Sequence, residues 1–522
     1  MTMSRRNVLL QGCVIGAGVI ATNVPGIVAL AQAQPPLRRS LGSIPLDDPI
    51  LEAWRDGVRQ LKARPASDTI SWANFAAIHG TANGFNLCPH GNWYFLPWHR
   101  AYLLMYERTV RQLTGHNEFA LPYWDWTNNR QLPAAFVQPT WNGQPNPLFE
   151  SQRQMSPTDS LPDGVVGPAV INTILGETPF EAFGTSRPNQ DGNVQDSLDQ
   201  SWIVCEFCGI DGTLESNPHN NVHNIVGGIM ASAQSSLDPI FMMHHCNIDR
   251  IWAVWNAPPL NNPNSNDPLW TDMVFQNNFF NPDGSSFSPK VSDLFVPEAL
   301  GYTYGLPSAV SAAASVAPAV VALGDKLKVI YGAPGATAAV AGAGIKTYTA
   351  KNDPQATATA NKPLDITVDV DRSLVTAIAR RPLPSSGTEV LDFNATREWA
   401  ASGTRAYAFI RDVTVAQHQD TLYRVFINCD YLSQSTPISD PHYVGTFGVF
   451  GDHGEHAGHS GRPAAKPSIA VDLTRAIQRV YGTVVDPSSR IRVQILPVSN
   501  SPKAGPIGTA SPSRVEVAFV NA

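Results

Sequence analysis

The spacing of apolar residues changes character partway along this chain, and no single core satisfies both patterns. Up to about Tyr304 the apolar residues recur at helical intervals. "DPILEAWRDGVRQLKAR" sets Ile50, Leu51, Trp54, Val58 and Leu61 near a 3.6-residue period, opened by Asp48 and Pro49. "PWHRAYLLMYERTVRQLTG" reads the same way with Gly115 as its stop. "DPIFMMHHCNIDRIWAVWN" begins a further helix, with Asp238 as cap and Pro239 at its first position. Beyond Asn361 come short β-branched runs such as "LDITVDV", "AYAFIRDV", "LYRVFIN", "RIRVQILPV" and "RVEVAFV", separated by turn residues. The expected fold is a mainly α region over 34–305, packed as a helical bundle, followed by an all-β, sandwich-like region over 362–522. Between them, 306–361 is Ala/Gly/Pro-rich and reads as a linker. At 522 residues the chain exceeds one core of ordinary size, which agrees with this division.

Residues 1–33 read as an address. Twin arginines (Arg5, Arg6) precede an apolar stretch and small residues at Ala29, Ala31 and Ala33, the pattern of a twin-arginine export signal. The expected location is periplasmic or secreted, with no membrane span in the mature chain. A formal net charge of −7 and the absence of Lys/Arg runs exclude nucleic acid as a partner. Of the six cysteines, Cys13 leaves with the signal. The remaining five cannot all pair as disulfides. "CEFC" at 205–208 is expected to close on itself as a local disulfide.

Six of the thirteen histidines fall into two groups. His79, His90 and His99 occupy "IHG", "CPHG" and "PWHR". His90 and His99 are half a turn out of phase on one continuous helix, so His90, between Pro89 and Gly91, belongs in a loop over the helix bearing His99. His219 and His223 are an i, i+4 pair able to grip one ion from the same side. "HH" follows at 244–245, where only one ring can face a shared ion. Phe241 and Asp249 share the face of His245, which makes His245 the ligand and His244 a packing or supporting residue. Two imidazole trios without carboxylate or thiolate suit copper or zinc, and three ligands per ion leave positions open for chemistry.

These residues carry a resemblance. "FLPWHRAYLLMYE", "LPYWDW", "PHNNVH" and "DPIFMMHHCNIDRIW" resemble the signatures of the type-3 binuclear copper tyrosinase and polyphenol oxidase (catechol oxidase) family. "LRRSL" and "LGYTY" resemble the arginine and aromatic motif that open and close its catalytic domain. The resemblance implies a four-helix bundle around two copper ions, held by His79, His90 and His99 and by His219, His223 and His245, with O2 as co-substrate. It further implies a thioether from Cys88 to His90, where the alternative is a small buried thiol. Phe241 resembles the family's substrate-stacking phenylalanine and equally a core aromatic. Glu215 and Asn220 resemble a pair that orients a proton-accepting water, and Glu215 could instead cap its turn. Asp125 could orient a ligand histidine, and Asp249 and Arg250 a structural network. The implied activity is oxidation of small phenolic substrates, o-diphenols to o-quinones, with monophenol hydroxylation added if Glu215 and Asn220 do that work. The alternatives are a catechol oxidase lacking that step and a haemocyanin-like O2-binding protein. The C-terminal region resembles the family's shielding domain. A glycine-rich loop, "GDHGEHAGHSG", offers three more histidines, expected to be solvated.

Overall fold

Asp48 accepts from the Ile50 N–H and Pro49 opens the first turn of α1 (Pro49–Ala63), as the pattern predicts. Ser71 caps α2 (Trp72–His79) through the Asn74 N–H. The long α3 (Phe95–Thr114) ends where Gly115 takes a left-handed φ of 67°. A short α4 (Asn220–Val226) and α5 (Ile240–Asn256) complete the histidine-bearing helices. The Asp238 carboxylate accepts from the Ile240 N–H at the start of α5. The computed structural model describes residues 34–190, 193–307, 318–332, 344–350, 356–381, 403–416, 421–451, 465–485, 487–499 and 506–521. The export signal expected at 1–33 lies outside them, as does most of the glycine- and histidine-rich loop. Contacts divide the chain between Pro35 and Pro36, and everything below belongs to the unit from Pro36 onward.

α3 packs between α1 and α5. The three helices bury Trp54, Trp98, Tyr102, Tyr106, Trp252 and Trp255. Each such ring removes roughly 150–250 Å² from water, a large share of the apolar burial of the helical region. One ionic knot runs through it. Asp249 on α5 accepts from Arg100 Nε at 2.5 Å, Arg38 Nη1 at 3.1 Å, and the Tyr302 and Tyr304 hydroxyls at 2.8 and 2.7 Å. Arg38 also bonds Glu107 at 2.9 Å and lies 3.5 Å over the Tyr302 ring. The "LRRSL" arginine and the "LGYTY" tyrosines thus meet on one carboxylate, holding the two ends of the helical region together. Arginine pairing keeps Asp249 below the usual carboxylate range despite its burial. Arg250, expected in the same network, instead bonds Asn247 and faces Tyr123.

The C-terminal region is built on two large sheets, with Thr414–Ala416 and Thr509–Ser511 pairing as a separate two-stranded one. The labels run β1 (Ile210–Asp211), β2 (Ile345–Thr349), β3 (Leu364–Asp369), β4 (Arg405–Arg411), β5 (Thr421–Ile427), β6 (Tyr443–Phe447), β7 (Ser468–Asp472), β8 (Arg490–Ser499) and β9 (Arg514–Val520). One sheet has the order β2-β9-β4-β7-β1 and the other β3-β8-β5-β6. Ile366, Val368, Val425, Val493, Ala408 and Val517 meet in a core that both sheets share. On the far side of the second sheet, Leu422, Leu496 and Val498 join the core of the helical region.

Two departures from the sequence reading matter. The expected linker is not merely a linker: it contributes α6 (Pro318–Gly332) and β2, which pairs with β9. Its alanines hide an i, i+4, i+8 stripe of Leu323, Leu327 and Tyr331, which packs on Tyr407 and Phe409 of the first sheet. The edge strand β1 comes from the helical region and pairs in parallel with β7, so the two regions share a sheet.

Among the described residues no helix is long and apolar enough to cross a membrane. Asp249→Asn removes the charge that two buried arginines share. It should cost about 3–5 kcal/mol, read as a lower denaturant midpoint, because the guanidinium groups are left buried without full compensation.

Candidate metal centre

The structure brings the two expected trios together. His79 ends α2, His90 sits in the loop before α3, and His99 lies near the start of α3. Their ring centroids form a triangle of 5.4, 5.6 and 5.8 Å. His219 just precedes α4, His223 lies on it and His245 lies on α5, with centroids 4.7, 4.9 and 5.3 Å apart. The two trios touch: His99 and His245 stack at 4.2 Å with an 8° interplanar angle.

Backbone carbonyls aim the rings. Nδ1 of His79, His99 and His223 lies 2.8 Å from the carbonyl oxygens of Ala233, Phe95 and Met230 respectively. A carbonyl only accepts, so each Nδ1 carries the proton and each Nε2 turns a lone pair inward. His219 Nδ1 is held in the same way by Asn220 Oδ1 at 2.8 Å. Burial presses all six imidazoles below their ordinary pKa, His79 to about 4, and neighbouring histidines add to it at the other five, so they are neutral near pH 7. His79 Nε2, His90 Nδ1, His219 Nε2 and His245 Nδ1 are buried with no hydrogen-bond partner among the described residues. His223 Nε2 and His245 Nε2 lie 3.1 Å apart. That is close to the spacing of two nitrogens each about 2.0–2.1 Å from one tetrahedral ion. Neutral, inward-facing and otherwise unsatisfied imidazoles fit a pair of copper ions.

His244 differs. The Trp126 indole N–H donates to its Nδ1 at 3.1 Å, and burial lowers its pKa to about 3. The neutral ring must then carry its proton on Nε2, so His244 presents a donor and not a lone pair. Trp126 thus orients a ring outside the two trios. Asp125, expected to orient a ligand histidine, instead accepts from Asn128 in a turn and bonds no histidine among the described residues.

Cys88 is a buried free thiol, its Sγ 3.8 Å from His90 Nε2 and 3.2 Å from His99 Nε2. Phe241 lies 4.2 Å from the His245 ring and 4.9 Å from His79, between the two trios. Both Glu215 carboxyl oxygens are engaged, one by the Gly91 N–H at 2.7 Å and one by the Thr185 hydroxyl at 2.6 Å. Burial and the nearby Asp211 push its pKa well up. Glu215 therefore ties the helix-entry turn to the loop carrying His90. The 205–208 segment braces that loop from the other side. Cys205 and Cys208 form the expected disulfide, and Phe207 N–H and Gly209 N–H donate to the His90 and Gly91 carbonyls.

The unforeseen feature is Phe450. Its ring stacks on His223 at 4.0 Å and lies 5.3 and 5.7 Å from His90 and His219. Asn220 Nδ2 donates to the Gly448 carbonyl at 3.0 Å and Asn224 Nδ2 to Val449 at 2.9 Å. Gly448 approaches so closely that a Cβ there would meet Asn221 Oδ1 at 2.1 Å. At Gly451, with φ +96°, a Cβ would meet Phe85 at 2.5 Å. The one sequence signal was "GVFG": two glycines around an aromatic, in a run longer than its strand.

Residues 69–258 match the family described as the common central domain of tyrosinase. Tyrosinase HcTyr1 of Hahella sp. (strain CCB-MM4) is 30% identical over 296 residues, 50% of this chain and 61% of that protein. The latent form of chloroplastic polyphenol oxidase from Prunus armeniaca is 26% identical, over 52% of this chain and 48% of that one. The chain thus spans about half to three-fifths of these relatives' length. In fold it is similar to latent apple tyrosinase, with TM-score 0.59 and 19% identity over 94% of this chain and 98% of that one. The chain thus carries a stretch that matches the tyrosinase central domain, within a fold like that of a latent tyrosinase.

Two outcomes follow for the metal. His79→Ala and His219→Ala should each lower the copper content of the purified protein from two equivalents toward one, read by elemental analysis. In the metal-free protein these histidines are neutral when folded, whereas in the unfolded chain they take a proton near pH 6.5. The unfolded state binds more protons below that point, so stability should fall as pH drops from about 6.5 toward 4, measured by denaturant midpoints.

Proposed function

We propose that this chain is a latent phenol oxidase, converting o-diphenols to o-quinones while O2 is reduced to water. In this reading, His79, His90 and His99 hold one copper and His219, His223 and His245 the other, within a bundle formed by α2, α3, α4 and α5. The catalytic domain is 34–305, and 362–522 shields it after export by the twin-arginine route. The copper pair would supply the electron transfer from substrate to O2. The observation that carries the proposal is the double trio of inward-aimed, neutral imidazoles.

The protein's own groups do the rest. Phe241 and the neighbouring His245 ring offer a flat apolar face for a phenol ring once Phe450 withdraws. Asn220 fixes the His219 tautomer, and Glu215 with Gly91 and Thr185 fixes the loop of His90. A monophenol must also lose a proton from a group with pKa near 10, which makes a nearby acceptor valuable. Glu215, with Asn220 and a bound water, is our candidate for that acceptor, so hydroxylation of monophenols belongs to the proposal. Cys88, beside His90, is the residue to carry the thioether. It would appear as a cross-linked Cys88–His90 peptide in a digest of copper-loaded protein.

The shielding role rests on Phe450, which occupies the space beside His223 that a substrate ring needs. Phe450→Gly should raise kcat/KM for catechol by roughly tenfold or more, a transition-state gain of about 1.4 kcal/mol. Unchanged turnover would sink the shielding role. Glu215→Gln should depress tyrosine hydroxylation more than catechol oxidation. Equal losses on both substrates would leave Glu215 only its bond to the His90 loop. Reversible O2 uptake without quinone formation would favour a haemocyanin-like carrier.

A further inference from the structure

A cavity of about 610 Å³ lies where the helical and β-rich regions meet, and none of the histidines of the two trios lines it. Apolar side chains from both regions form its walls, among them Val170 and Ile174 on one side and Ile438 and Val444 on the other. Arg405, Arg475 and Arg479 also line it. The strand β6 borders it through Gly445, where an added Cβ would meet nothing within 4 Å. A volume of this size falls within the roughly 300–1,000 Å³ of small-molecule sites.

Asp163, Glu177, Asp440 and Asp472 line it as well, so what it leaves open is not net charge but hydrogen-bond donors. Arg405 is 3% exposed, and its Nε and Nη1 have no hydrogen-bond partner among the described residues. Its Nη2 alone serves the local acids, Asp472 at 2.7 Å and Glu177 at 3.5 Å. Leaving a buried donor unpaired costs about 1–3 kcal/mol, and more on a charged group. The acids at the rim are already engaged: Asp163 with Arg130 at 2.6 Å, and Asp440 with the Tyr431 hydroxyl at 3.0 Å. Arg479 gives its donors to the Pro441 and Tyr443 carbonyls. Buried Glu177 has its pKa pushed up to about 7, so it neutralises Arg405 only in part near that pH. The cavity thus pairs an apolar lining with unsatisfied cationic donors.

We propose that this cavity binds a carboxylate with an apolar body. Its carboxylate lies against Arg405 and Arg475, and its body runs along Val170, Ile174, Ile438 and Val444. A small inorganic anion would leave the apolar walls uncovered. A neutral hydrocarbon would leave the Arg405 Nε and Nη1 donors unpaired. The site contains none of the histidines, so it stands or falls independently of the copper reading.

The test is calorimetric titration of the full chain, copper-free and copper-loaded, with decanoate and 4-phenylbutyrate, using acetate and decanol as controls. At least one of the two acids should bind with one-to-one stoichiometry and equal affinity in both forms, at least tenfold tighter than acetate or decanol. Arg475→Gln should weaken that acid at least tenfold and leave decanol unchanged. Gly445→Leu should fill the cavity and abolish binding, while its melting temperature without ligand reports that it folds. Three results would overturn the proposal: neither acid saturating at millimolar concentration, decanol binding as tightly as decanoate, or both variants retaining wild-type affinity.

Discussion

Six buried, neutral imidazoles gathered into two touching trios, four of them with the lone pair aimed inward, are the arrangement on which the rest of the structure depends. Such a group is costly without a metal, because each unsatisfied buried nitrogen forfeits hydration and gains nothing. The fold commits to that cost through cheap and rigid devices. The carbonyls of Ala233, Phe95 and Met230 fix three tautomers, and Asn220 fixes a fourth. The wall of buried aromatics around α3 keeps water out, and the Asp249 knot holds α3, α5 and both ends of the helical region in register. Each trio draws on more than one element, so the centre exists only when the helices are docked.

Loop order is the second requirement. His90 has no helix to hold it, and the structure compensates from three directions. Glu215 takes the Gly91 N–H, the disulfide-closed 205–208 segment takes the His90 and Gly91 carbonyls, and Cys88 lies against the rings of His90 and His99. Glu215, which the resemblance makes a water-orienting carboxylate, serves in the structure as a brace. The same economy appears at Asn220, which orients His219 with its oxygen and grips the Gly448 carbonyl with its nitrogen. The metal centre and the segment that covers it are therefore coupled through one side chain.

What the sequence disclosed was what is local. Helical spacing, the Asp48 cap and the Gly115 stop gave α1 and α3, and alternating β-branched runs marked the later strands, because those signals act within a few residues. The histidine motifs lie on or beside those helices and were legible for the same reason. What stayed hidden depends on contacts far apart in the chain. Phe450 reaches His223 from a distant strand end, Ile210–Asp211 completes a sheet made mostly of residues beyond 344, and the Ala-rich 318–332 stretch becomes a helix only because Tyr407 and Phe409 wait for its Leu323, Leu327 and Tyr331. The contact of Trp126 with His244 has the same origin, for only packing decides that Trp126 and not Asp125 turns toward a histidine.

The central claim is that the two trios hold two copper ions close enough to act as one unit, as the stacked His99 and His245 rings imply. The most direct measurement is electron paramagnetic resonance of the full chain loaded with two equivalents of Cu(II), with the spins integrated against total copper. Coupled ions in adjacent sites should leave the signal nearly silent. An integrated signal equal to the copper present would show isolated ions and contradict the account.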